Sequence, residues 1–113
     1  MRREIIDYIE DVLNAINKIL NFVKDMSYED FSQDDKTIFA VIRGIEIIGE
    51  AVKNIPEDIK IKYPEIPWKG IAGMRDKLIH AYFGVDVKVV WDTIKKRIPE
   101  IKPLFEKILK ELK

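Results

Sequence analysis

A chain of 113 residues with 47% hydrophobic and 35% charged side chains, 5 Gly and 5 Pro fits one domain, residues 1–113, around one core, and excludes disordered, collagen-like and two-lobed architectures. Without Cys and with His80 as the only His, there is no disulfide framework, thiolate metal site or Cys nucleophile, and neither a metal nor a cofactor is expected. Twenty basic residues cancel 20 acidic ones, so no global field draws the chain onto nucleic acid or an anionic membrane.

The start, Met1-Arg-Arg-Glu-Ile-Ile-Asp7, lacks the apolar run of a signal peptide, and no segment has the uncharged length that crosses a bilayer. A cytoplasmic protein with no membrane association is expected. Ile5, Ile9, Val12, Ile16, Ile19 and Val23 alternate spacings of four and three and predict a first helix over 5–23. Two further rows, Ile6, Leu13, Leu20 and Tyr8, Ala15, Phe22, widen the apolar arc. The extra width needs a second partner, either a neighbouring helix or a second copy of the chain, with the homodimer ahead.

Ser32-Gln-Asp-Asp35 predicts the start of a second helix, with Ser32 as N-cap and an acid three residues on. Its stripe, from Ile38 through Ile55, runs to a break at Pro56 and contains Gly44 and Gly49. A helix-interior Gly costs about 1 kcal/mol against Ala, so two of them point to a close approach, by a packed helix first and a ligand second. One helical turn, Glu57 to Lys62, fits between the prolines that follow. Trp68 to Tyr82 reads as a third main helix ended by Phe83-Gly84. Asp86 caps Val87 to Lys96, and Pro99 precedes a separate amphipathic stretch from Ile101 to Leu112. The predicted fold is all-α, a bundle of four to six helices without strands.

Charge is distributed unevenly: residues 1–65 carry 9 basic and 14 acidic side chains, whereas residues 86–113 carry 8 and 5. The third main helix contains Arg75-Asp-Lys-Leu-Ile-His80-Ala-Tyr82, which joins a permanent cation, the only imidazole and a phenol. A guanidinium fork can hold two phosphate oxygens, and an imidazole with a reference pKa of roughly 6.5 exchanges a proton near neutrality. Metal-free RNA cleavage uses such a pairing: a base removes the 2′-hydroxyl proton, the oxygen attacks phosphorus, and an acid protonates the departing 5′-oxygen. On an ideal helix Arg75 and His80 lie about 140° apart around the axis, whereas Arg75 and Tyr82 align about 10 Å apart along it. For Arg75 and His80 to meet on one phosphate, the helix must distort before His80 or the two must come from different protomers across a two-fold axis. Asp76, one turn before His80, is placed to pair with it.

The segment Ile66-Pro-Trp-Lys-Gly-Ile-Ala-Gly-Met-Arg-Asp-Lys-Leu-Ile-His-Ala-Tyr82, with Arg43-Gly-Ile-Glu-Ile-Ile-Gly-Glu-Ala51 before it and Val89-Val-Trp91 after it, resembles the HepT family of the HEPN superfamily. The resemblance spans nearly the whole chain and implies a homodimeric helical bundle. It implies the toxin of a toxin–antitoxin pair, a metal-independent ribonuclease acting on RNA, whose partner is a nucleotidyltransferase antitoxin of the MNT type. Carried over by position, Arg75 stabilises the scissile phosphate, His80 is the acid–base residue, and Tyr82 is both a site residue and the target of AMP transfer by the antitoxin. Asp76 departs from the small polar residue expected there, and its charge bears on RNA binding or on His80. The alternative from the residues is a non-catalytic subunit that positions a substrate for, or regulates, a nucleotidyltransferase.

Overall fold

A computed structural model describes the backbone of residues 2–84 and 86–113, and the side chains of residues 5–76 and 86–113. Six α-helices and no strand occur among these residues, in the order α1 (Arg2–Phe22), α2 (Tyr28–Ser32), α3 (Asp35–Lys53), α4 (Glu57–Lys62), α5 (Trp68–Gly84) and α6 (Val87–Leu112). Ile9, Val12, Ile16 and Ile19 of α1, Val41, Ile45 and Ile48 of α3, and Ile94, Ile98, Ile101 and Phe105 of α6 meet in one core in which no polar side chain is buried among the described residues. The stripes at spacings of three and four are what bring these three helices together.

The wide arc of α1 has its second partner inside the chain, because α1 packs against both α3 and α6. Leu13 and Ala15 are buried there, and Leu20 and Tyr8 pack against the core. Of the two extra rows only Phe22 remains largely in solvent, at 43% exposure.

After α1 the chain turns at Asp25, which takes a left-handed φ of 64°, the conformation that commonly ends a helix. The short α2 follows, opened by a capping box in which Ser27 Oγ accepts from the Asp30 amide and the Asp30 carboxylate accepts from the Ser27 amide. Its one fully buried side chain, Phe31, stacks on Trp91 of α6 at 5.2 Å, and Tyr28 meets the same indole edge-on at 6.2 Å. The N-cap of α3 is Asp34 and not Ser32: Asp34 accepts from the Thr37 amide at 3.0 Å and from the Thr37 hydroxyl at 2.8 Å. Ser32 instead closes α2, its hydroxyl donating to the Glu29 carbonyl. Those two donors hold the Asp34 carboxyl below its ordinary range.

A second correction concerns Pro99, which does not divide the carboxy-terminal segment. Helix α6 runs unbroken over 26 residues with Pro99 and Pro103 inside it. Both prolines are exposed, so the carbonyls they leave without an amide partner can turn to water. The stripe through Ile94, Ile98, Ile101, Phe105 and Ile108 stays buried across the same stretch, and that burial holds the helix together through the two missing hydrogen bonds.

Candidate functional site

Helix α5 carries the motif, and its first residue is fixed by an indole. Trp68 Nε1 donates to the carbonyls of Lys60, at 3.1 Å, and Tyr63, at 3.0 Å, while its ring stands edge-on to Phe105 at 5.7 Å. These contacts tie the loop from α4 and the start of α5 to α6, so the helix leaves the loop in one direction. Ile71 and Met74 continue the buried side. The backbone stays α-helical from Trp68 through Gly84, so no distortion before position 80 brings Arg75 and His80 onto one face.

Arg75 lies across α3. Gly49 of α3 is buried, and a Cβ placed on it would stand 3.2 Å from Arg75 Cβ, 3.4 Å from Cδ and 3.8 Å from Cγ. The missing side chain is therefore the space that the arginine stem occupies. Gly44 does the same for Ile19 of α1, whose Cδ1 and Cγ1 would lie 2.9 Å from an added Cβ. The close approach at these two glycines is made chiefly by side chains of the neighbouring helices, with the Ala15 carbonyl oxygen also 3.9 Å from an added Cβ at position 44.

The Arg75 side chain is 27% exposed, and its Nε is buried without a hydrogen-bond partner. Its one acidic neighbour among the described residues is Asp76, at 3.7 Å, a distance and exposure at which an ion pair contributes little. With only that long contact among the described residues, the solvent-facing end of the guanidinium keeps donors for an incoming anion, while the buried Nε is out of its reach. Asp76 lies within reach of Arg75, and its expected pairing with His80 falls on a side chain outside the described residues. The side chains of His80 and Tyr82 lie outside the described residues; their backbone positions are on α5, about 1.4 and nearly two turns beyond Arg75.

Two features escaped the sequence. Gly49 was legible as a glycine in an apolar stripe, but not as the seat of Arg75. The second is a groove of about 390 Å³ between α5 and α6, with Gly70, Gly73 and Met74 on one side and Val89, Lys96 and Arg97 on the other. Among the described residues no group of three or more His, Cys, Asp or Glu side chains is placed to hold a metal ion, and no helix is long and apolar enough to cross a membrane.

Comparison with known proteins places this arrangement. The family described as ribonuclease HepT-like matches residues 12–108. A protein of Thermococcus cleftensis named "Probable ribonuclease HepT" is 58% identical over 110 residues, covering 97% of this chain and all of the relative. A provisionally named RNase of Methanocaldococcus jannaschii is 57% identical over 111 residues, 98% of this chain and 96% of its own. Another, from Caldanaerobacter subterraneus subsp. tengcongensis, is 47% identical over 106 residues, 94% and 95% of the two chains. No solved structure matches. Helical architecture, motif helix and end-to-end similarity agree: the chain belongs to the HepT-like ribonuclease family of the HEPN superfamily.

Proposed function

We propose that this chain is the toxin of a toxin–antitoxin pair and acts, as a homodimer, as a metal-independent endoribonuclease. The observation that supports this best is Arg75: a partly exposed guanidinium seated on Gly49, whose one acidic contact among the described residues is a long one to Asp76. In this reading the fork grips two oxygens of the scissile phosphate and stabilises the charge that builds there. The 2′-oxygen attacks phosphorus and loses its proton to a base, the bond from phosphorus to the 5′-oxygen breaks, and that oxygen takes a proton from an acid. His80 is the acid–base residue. Because α5 is uninterrupted, Arg75 and His80 stay on different faces of one helix, and a two-fold dimer supplies the pair from two protomers.

Cleavage should survive EDTA, leave a 2′,3′-cyclic phosphate and stop when the 2′-hydroxyl is replaced by hydrogen. Cleavage that requires Mg²⁺, or that persists in His80→Ala, contradicts the mechanism. A chain without nuclease activity that alters a nucleotidyltransferase's turnover would instead be the regulatory subunit.

Tyr82 is the control point in the same proposal. AMP attached to its phenol would set a phosphate along the line of Arg75, pairing with the cation and repelling RNA. Tyr63 is a poor competitor, being 4% exposed with a phenol that burial and the neighbouring Glu111 push above its ordinary range. Intact mass and peptide mapping after co-expression with an MNT-type antitoxin decide the matter. An adduct on Tyr82 that is absent from Tyr82→Phe supports the assignment, and an adduct on Tyr8 or Tyr28 refutes it.

A further inference from the structure

Gly73 stands in the middle of α5, where glycine is a poor helix former. No described glycine has a positive φ, and a Cβ on Gly73 would meet no atom within 4 Å. Gly70, one turn earlier, would meet only Pro67 Cβ, at an ordinary 3.7 Å. Neither backbone conformation nor crowding therefore calls for glycine at these positions. What the two absent side chains do is open the groove between α5 and α6. Its floor is the bare backbone at Gly70 and Gly73 together with Met74 and Val89, and its volume of about 390 Å³ lies within the range of small-ligand sites.

The α6 wall is cationic. Lys96 and Arg97 line the groove, both are exposed, and neither has an acidic partner among the described residues. Asp92, also at the groove, is engaged by Lys88 at 3.5 Å. Thr93 Oγ1 donates its proton to the Val89 carbonyl at 2.9 Å, which leaves the oxygen as an acceptor at the groove. An apolar floor, an acceptor and two exposed cations against one carboxylate, Asp92, suit a ligand with a flat ring, polar edges and a negative charge. Position 80 follows Gly73 by seven residues, about two turns and roughly 10 Å along the same line of α5.

We propose that this groove is a nucleotide subsite beside the scissile phosphate: one base of a single-stranded RNA lies on the Gly70–Gly73 floor, and a backbone phosphate is held by Lys96 and Arg97. The strand is single because a paired base could not be splayed into the groove. The inference rests on the ribonuclease reading above and adds to it where the substrate lies.

The test uses the whole chain with two RNAs of one sequence, an unmodified strand for cleavage and a labelled 2′-O-methyl strand, which cannot be cut by this route, for binding by anisotropy. Gly73→Ala should raise Tm by about 4 °C, since alanine gains helix propensity and meets nothing. Gly73→Leu, which fills the groove, should weaken binding roughly ten-fold and raise KM with kcat retained. Lys96→Ala and Arg97→Ala should each lower the slope of log affinity against log salt, and together by about 0.7, the contribution of one phosphate. Wild-type affinity, KM and salt slope in Gly73→Leu and both alanine variants would overturn the subsite while leaving the nuclease standing. A Tm that falls in Gly73→Ala would make the glycine structural, and a changed light-scattering mass in Gly73→Leu with unchanged RNA affinity would assign the groove to a protein contact; either overturns the proposal. Wild-type protein that binds RNA without cutting it removes the ribonuclease reading, with the groove still decided by the binding series. Wild-type protein that neither binds nor cuts removes both.

Discussion

The contact between Gly49 and Arg75 joins two residues that sequence treats separately. Arg75 was legible from its spacing to His80 and Tyr82, and Gly49 from its place in an apolar stripe. Which face of α3 meets which face of α5 is a property of packing, and neither periodicity encodes it. The contact has a measurable consequence. A Cβ at position 49 would press on Arg75 Cβ at 3.2 Å, an atom anchored to the α5 backbone that cannot swing aside as a chain end could. Gly49→Ala should therefore move the arginine, and overpacking of about 1–2 kcal/mol is partly offset by about 1 kcal/mol of gained helix propensity. Stability should change little while kcat for RNA cleavage falls roughly ten-fold, about the effect of misplacing one charged hydrogen bond. Unchanged kcat would mean that the seat of Arg75 does not matter to turnover. Arg75→Lys tests the fork itself, because an ammonium on the same stem keeps the charge and loses the planar pair of donors; kcat/KM should drop by about 100-fold, and near-normal activity would argue for charge alone.

At the scale of elements, strong stripes were readable and competing local signals were not. Helices α1, α3, α4 and α5 begin and end close to where periodicity, prolines and glycine put them. Helix α2 has five residues, too few to establish a period, and Ser32 with an acid three residues on read as the cap of the helix that follows. The capping box at Ser27 uses up the residues before Ser32, and Asp34 gains both Thr37 donors. This cap predicts a pH response. With a folded-state pKa below the ordinary 3.8, Asp34 contributes stability above the unfolded value and loses it as pH falls through the folded one. Asp34→Asn, which still caps but cannot titrate, should show a shallower loss of stability below pH 3.8 than the wild type, measured by urea unfolding at a series of pH values. Parallel acid limbs would show that the cap is not coupled to folding. Helix α6 supplies the converse case, a breaker overridden by burial. Pro99→Ala restores an amide donor on an exposed face and should stabilise the chain by about 2 kcal/mol, less whatever proline contributes by restricting the unfolded state. A destabilised variant would mean that the proline shapes α6 in a way the core needs.

For the molecule as a whole, the sequence offered two grounds for a dimer, and the fold changes their weight. The wide arc of α1 is largely covered by α3 and α6, so it no longer calls for a second copy. The other ground is stronger, because α5 is helical without interruption and leaves Arg75 and His80 about 140° apart on one axis. If each active site draws Arg75 from one protomer and His80 from its partner, two inactive variants can repair each other. In a heterodimer of Arg75→Ala with His80→Ala, one site receives both substitutions and the other receives neither. Random exchange of equal amounts makes about half of the dimers mixed, each with one intact site of two, so about a quarter of wild-type activity should return. If each site lies within one protomer, every site in the mixture carries one lesion and nothing returns. The measurement is cleavage by the two purified variants alone, mixed, and mixed after a cycle of unfolding and refolding that exchanges protomers. Recovery confined to the exchanged mixture supports the shared site; no recovery, with light scattering showing that mixed dimers form, removes it.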